Sequence, residues 1–188
     1  MIDPGHGGAD YGAVSRDGEV REKDINLNIV RILRKIVYTE DYPFEVYTTR
    51  HEDKFIPLWN RVDLAKFWVV HAFMSIHCNA REAIGRDGLE VEVFHAVDSR
   101  KGRNFANLAL GCLLCETRKE TKVISRGVKE KDFYVLRHTL CPAILVELGF
   151  ITDPEEAGFL NDKKNQKILA KALIEATQLY FESGMVRW

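Results

Sequence analysis

Apolar residues recur along this chain with two distinct periods, and the switches between them lay out its elements. Within residues 21–38, Ile25, Ile29, Ile32, Leu33 and Ile36 fall at helical spacing and predict an amphipathic helix over roughly 23–38. The stretch PFEVYTTR (43–50) alternates, with Phe44, Val46 and Thr48 on one side, and predicts a strand. IPLWNRVDLAKFW (56–68) predicts a second helix with Pro57 near its first turn. VVHAFMSIHCNA (69–80) is an apolar run ending in polar residues, a buried strand emptying into a loop. GLEVEVFHA (88–96) sets Leu89, Val91 and Val93 against Glu90, Glu92 and Phe94, the pattern of a half-exposed strand. A helix is expected over about 99–117, then two apolar strands, FYVLR (133–137) and PAILVELGF (142–150). Pro142 is tolerated where a strand begins. A long helix closes the chain, with Ile168, Leu169, Ala172, Leu173, Ala176 and Leu179 or Tyr180 along one stripe.

Strands alternating with helices imply an α/β domain with a twisted, mainly parallel sheet flanked by helices on both faces. No repeat, low-complexity tract or linker interrupts residues 1–188, so one domain is expected throughout. The most polar stretch, KETKVISRGVKEKD (119–132), is expected to be a surface loop near the site.

Composition narrows the function classes. At 188 residues, 46% of them hydrophobic and 29% charged, the chain can bury a core without staples. A net charge of −1 gives no basic field for nucleic acid. No run approaches the ~18 apolar residues of a membrane-crossing helix, so no membrane insertion is expected. No signal peptide precedes the first motif. Cys112 and Cys115 form a C-x-x-C, yet they lie in an apolar-periodic segment without a second such pair. They read as two buried thiols on a helix rather than a zinc or redox site.

The chemistry gathers where strands end, the edge at which open α/β sheets carry their sites. His6 sits among glycines in DPGHGG after a very short first strand, His77 ends the run AFMSIH, and Glu147 ends AILVE. Ser75 and His77 share a strand face. Glu22 precedes the first helix, where a carboxylate suits the helix N-terminus. Two imidazoles and a carboxylate form an N/N/O set suited to zinc with a position left for water. They are separated by 16 and 55 residues (22 − 6 and 77 − 22), so only a fold could assemble them; taken singly, each histidine reads as a loop or core residue sooner than a ligand, and each glutamate as a solvated surface charge. Glu147 is different, because a carboxylate in the most apolar strand of the chain needs a charge partner or a metal site.

Four ordered motifs, DPGHGGADYGA, REKDINLNI, MSIHCNA and FYVLRHTLCPAILVELGFITDPEE, resemble the zinc-dependent N-acetylmuramoyl-L-alanine amidases of the amidase-3 type. That domain occurs in bacterial cell-wall amidases, autolysins among them, and in phage endolysins. The resemblance runs from Ile2 to about Tyr180 and implies a mainly parallel sheet of about six strands. It implies that His6, Glu22 and His77 are zinc ligands and that Glu147 is the catalytic glutamate. The implied reaction is hydrolysis of the amide between N-acetylmuramic acid and the L-alanine of the stem peptide. The implied substrate is peptidoglycan, the place of action the cell wall, and the acting form a monomer.

A separate wall-binding domain, or a holin for release from a host cytoplasm, are the accompanying partners expected. The missing signal peptide leans toward an endolysin over a trimmed bacterial autolysin. Asn79, Arg137 and His138 are candidates to line the substrate groove, with capping of strand ends an equal alternative. Ser75 is expected to support His77, and Arg61 to make a packing or salt-bridge contact. Two departures from the family stand out. Only Met1 and Ile2 precede DPGHGG, which could loosen His6, and Cys78 follows the third ligand as a spectator or an oxidisable thiol. A zinc peptidase cutting within the stem peptide and an inactive wall-binding or regulatory module on the same fold are the competing readings. A phosphate cradle at GHGG matches no phosphate-loop pattern.

Overall fold

The computed structural model describes residues 1–83 and 87–184. Five strands form one sheet: β1 (Ile2–Pro4), β2 (Phe73–Asn79), β3 (Leu89–His95), β4 (Val123–Glu130) and β5 (Ala143–Phe150), in the order β1-β2-β5-β3-β4. β1, β2 and β5 run parallel, β3 is antiparallel to β5, and β4 is parallel to β3. The expected twisted, mainly parallel α/β sheet is what the chain forms.

Side-chain alternation divides this sheet into two unequal faces. Ile2, Met74, Ile76, Cys78, Val91, Val93, Ile144, Val146 and Leu148 point to one face, in the main core. There they pack with the apolar stripes of α1 (Glu22–Thr39), α3 (Arg100–Thr117) and α6 (Lys163–Glu182). The other face has only two shorter helices, α2 (Leu58–Phe67) and α4 (Tyr134–His138), which build a smaller cluster with Phe73, Phe94 and Leu145. On this second face, toward the carboxyl ends of β2 and β5, polar residues replace apolar ones.

Local signals explain most boundaries. Ser99 caps α3, its side chain accepting from Gly102 N at 3.1 Å. Asp162 caps α6 in the same way, accepting from Asn165 N at 3.0 Å. α5 (Pro154–Asn161), which the periodicity did not predict, starts from Asp153 as N-cap with Pro154 in its first turn.

Several expectations are corrected. PFEVYTTR is not a strand: β1 offers only three residues to pair with, and Thr48 alone bridges Ile2 along its outer edge. That bridge lies where a sixth strand would run. FYVLR is the helix α4, opened by Phe133, whose carbonyl accepts from Leu136 N at 3.0 Å and Arg137 N at 2.9 Å. Adjacent Val135 and Leu136 both enter the smaller cluster, and so short an apolar run does not fix its own period. The polar stretch 119–132 contains β4, an edge strand whose Arg126, Lys129 and Glu130 hide its alternation. β3, expected half-exposed, is buried throughout. Of the C-x-x-C thiols, Cys112 is buried and Cys115 exposed. No helix among the described residues is long and apolar enough to cross a membrane.

Candidate metal centre

β1 ends at Pro4, and Gly5 N donates to Ile76 O at 3.0 Å, so the DPGHGG turn leaves the sheet beside the end of β2. His6 follows with φ +61°, a left-handed conformation that a non-glycine residue rarely holds unaided. Two buried arginines hold it. Arg50 donates to the carbonyls of Pro4 and Gly5 at 3.0 and 2.8 Å. Arg61 donates to those of Pro4 and His6, each at 2.9 Å. The short first strand therefore does not loosen His6. Arg61 also pairs with buried Asp3 at 2.6 Å, the salt-bridge role expected of it.

The fold brings His6, Glu22 and His77 together, with one ligand-type atom of each within 4.8 Å of the others. Glu22 is the first residue of α1, and its carboxylate points back under the turn. Its Oε2 lies 3.2 Å from His6 Nε2 and its Oε1 lies 2.9 Å from His77 Nδ1. Backbone N–H groups of Ala13 and Cys78 donate to the same carboxylate at 2.8 and 3.0 Å. Burial opposes its charge, but the two imidazoles hold the Glu22 carboxyl well below the usual range. Burial likewise works against a charge on His6, yet Glu22 and Asp10 raise its pKa to about 9. Asp10 faces the other side of that ring, 2.9 Å from Nδ1. Ser75 supports His77 as expected, 3.1 Å from Nε2.

Glu147 is the register partner of His77 on β5, with Glu92 of β3 on its other side. Its Oε2 is buried without a hydrogen-bond partner. Burial first, then the charges of Glu22 and Glu92, push its carboxyl well above the usual carboxylate range. This is the environment of a carboxyl group that exchanges a proton.

Of the groove candidates, Asn79 donates to Glu92 at 2.7 Å, which ties it to the carboxylate row beside Glu147. Arg137 is exposed on α4, paired with Asp132 at 2.7 Å and donating to His138 at 3.2 Å. Cys78 is buried, its thiol pKa pushed well up by burial, and donates to Asn26 at 3.7 Å, the setting of a spectator.

Sequence reading missed Glu92, Asp10 and Asp3. Glu92 looked like the solvated face of a strand; it is buried and bonded to Asn79, Arg126 and Lys129. Asp10, four residues after His6, carried a local signal that went unused. Asp3 gave none beyond its place in DPGHGG.

Two imidazoles and a carboxylate converging beside a carboxyl group with one unpartnered oxygen form a donor set of the kind metal-dependent hydrolases use, here on an α/β scaffold. Comparison makes this specific. The Amidase_3 family model, described as N-acetylmuramoyl-L-alanine amidase, matches residues 1–178. The chain belongs to that family. It is 31% identical over 185 residues to the probable cell wall amidase LytH of Staphylococcus aureus, covering 97% of this chain and 58% of the relative. The chain thus spans somewhat over half the length of the curated relatives it matches. Among solved structures, the N-acetylmuramoyl-L-alanine amidase of Clostridium difficile 630 superposes with a TM-score of 0.88 at 31% identity, covering 97% and 95% of the two chains. AmiC2 of Nostoc punctiforme gives 0.86 at 32% identity, with 96% and 95% covered.

Proposed function

We propose that this chain is a zinc-dependent peptidoglycan amidase, cleaving the bond between the lactyl carbonyl of N-acetylmuramic acid and the amino group of L-alanine. The observation that carries the reading is Glu147, a buried carboxyl group with a free oxygen, in register beside His77 and the cluster of His6 and Glu22. The donor set fits zinc: two imidazole nitrogens and one carboxylate oxygen, carried by the turn after β1, the end of β2 and the start of α1. Zinc, when bound, supplies a Lewis acid that makes water reactive near neutral pH.

The chain's own groups do the rest. Glu147 takes a proton from the attacking water as the new C–O bond forms at the lactyl carbonyl carbon. It returns that proton to the departing nitrogen as the C–N bond breaks, so the products are a free lactyl carboxylate and an L-alanine amine. A carboxyl group with a raised pKa can do both near neutral pH.

The reading is tested by mass spectrometry of fragments released from purified sacculi, with and without a chelator. Stem peptides bearing a free L-alanine amino terminus, released only without chelator, are expected. Cleavage inside the stem peptide would transfer the site to a peptidase. No release from any wall type would leave a binding module on the same fold.

A further inference from the structure

The hydrogen bonds behind the two imidazoles differ, and the difference fixes which nitrogen each ring presents. His6 places Nδ1 at 2.9 Å from Asp10 Oδ2 and Nε2 toward Glu22. An ionised carboxylate only accepts, so Asp10 holds a proton on Nδ1, and Nε2, which faces the Glu22 carboxylate, is the nitrogen left to exchange its proton for a cation. Asp10 is itself fixed, its Oδ1 accepting from Gly12 N at 3.1 Å and its backbone bridging Gly7.

His77 is arranged the other way round. Its Nδ1 faces Glu22 and its Nε2 lies 3.1 Å from Ser75 Oγ. Ser75 has one hydroxyl proton, and Asp3 Oδ2 lies 2.7 Å away. Asp3 is kept ionised by Arg61 and also accepts from Thr49 at 2.5 Å. Ser75 therefore donates to Asp3 and accepts from His77 Nε2–H, so Nδ1, which faces the Glu22 carboxylate, is the nitrogen left to exchange its proton for a cation.

We infer that Asp10 and the Ser75–Asp3 pair are positioning residues that set opposite tautomers, so that His6 offers Nε2 and His77 offers Nδ1 to a shared divalent cation. The inference rests on the zinc reading above and adds which nitrogens ligate and which residues enforce that choice. One anchor is a carboxylate in direct contact, the other a carboxylate acting through a hydroxyl. Outer groups of this kind hold ring orientation and raise ligand basicity.

The test uses the full chain with zinc. Nitrogen-15 correlation spectra of the zinc-loaded protein should show His6 protonated at Nδ1 and His77 at Nε2. The same tautomer on both rings, or the reverse assignment, would overturn the inference. Chelator-competition titrations of Asp10→Ala and Ser75→Ala supply the second readout, beside thermal melts of the metal-free proteins. Each variant should bind zinc about ten- to a hundredfold more weakly, a larger loss than any lowering of its metal-free midpoint accounts for. Unchanged affinity, or a loss that only tracks a lowered metal-free midpoint, would count against the assignment. A wild-type chain that takes up no zinc would instead sink the metal reading itself.

Discussion

Glu92 and Glu147 face each other across the antiparallel register of β3 and β5, two carboxyl groups on the same face of the sheet. They are treated differently by their surroundings. Glu92 is neutralised by Lys129 and by Arg126 at 3.1 Å, whereas Glu147 has an oxygen with no partner. The arrangement separates a paired carboxylate from one whose burial and neighbours disfavour its charge. Glu92 contributes to the upward push on Glu147, so Glu92→Gln removes a negative neighbour and lets Glu147 ionise at lower pH. The acid limb of the kcat/KM profile should move to lower pH in that variant. An unmoved or upward-shifted limb would contradict the coupling.

Glu147→Gln keeps the shape of the group and removes its proton chemistry. Hydrolysis of purified walls should fall by about 10²- to 10⁴-fold, the usual contribution of a general acid–base. Zinc content measured on the same sample should stay at the wild-type level.

Proton and metal compete for His6. With its pKa raised to about 9 in the metal-free protein, the ring carries a proton through neutral pH that zinc must displace. Apparent zinc affinity should climb as pH rises and level off once pH passes about 9. The sign for stability is opposite. The pairing of protonated His6 with Asp10 and Glu22 stabilises the metal-free fold fully below about 6.5, the ordinary histidine value, and is lost as pH rises through about 9. Isothermal titration at several pH values and metal-free melts check both directions.

The glycines of the opening motif are explained by contact. A Cβ on Gly5 would lie 2.2 Å from His77 Cε1, and one on Gly12 would lie 2.5 Å from Glu22 Oε2 and 2.6 Å from His6 Cδ2. Gly12 also has φ +64°. Gly5→Ala and Gly12→Ala should each cut zinc binding severely, read by chelator competition. Wild-type affinity in either would show that the rings have more room than these distances allow.

Asp3 and Arg61 form a buried pair beneath the turn. Arg61→Met strands the carboxylate and should destabilise the protein by about 3–5 kcal/mol in denaturant unfolding, the range for a broken buried pair.

Much of this was legible in the chain because the strongest signals are local. The stripe of Ile25, Ile29 and Leu33 and the apolar run before Glu147 each announce an element and its buried side. The four positions His6, Glu22, His77 and Glu147 stood out because strand ends and an apolar strand are unusual places for such groups. What was not legible depends on partners distant in sequence. Phe44 and Val46 alternate like a strand, but three residues of β1 cannot pair a whole strand. Glu90 and Glu92 look solvated until β4 brings Arg126 and Lys129 alongside. The short run at Val135 and Leu136 was decided by the smaller core cluster and not by its own pattern.

The central claim is that His6, Glu22 and His77 hold one zinc ion beside Glu147. The most direct measurement is anomalous diffraction at the zinc edge from crystals of the zinc-loaded protein. A single peak bonded by His6 Nε2, His77 Nδ1 and a Glu22 oxygen, next to the Glu147 carboxyl group, is the predicted result. A peak elsewhere, or none at full zinc occupancy of the solution, would contradict it.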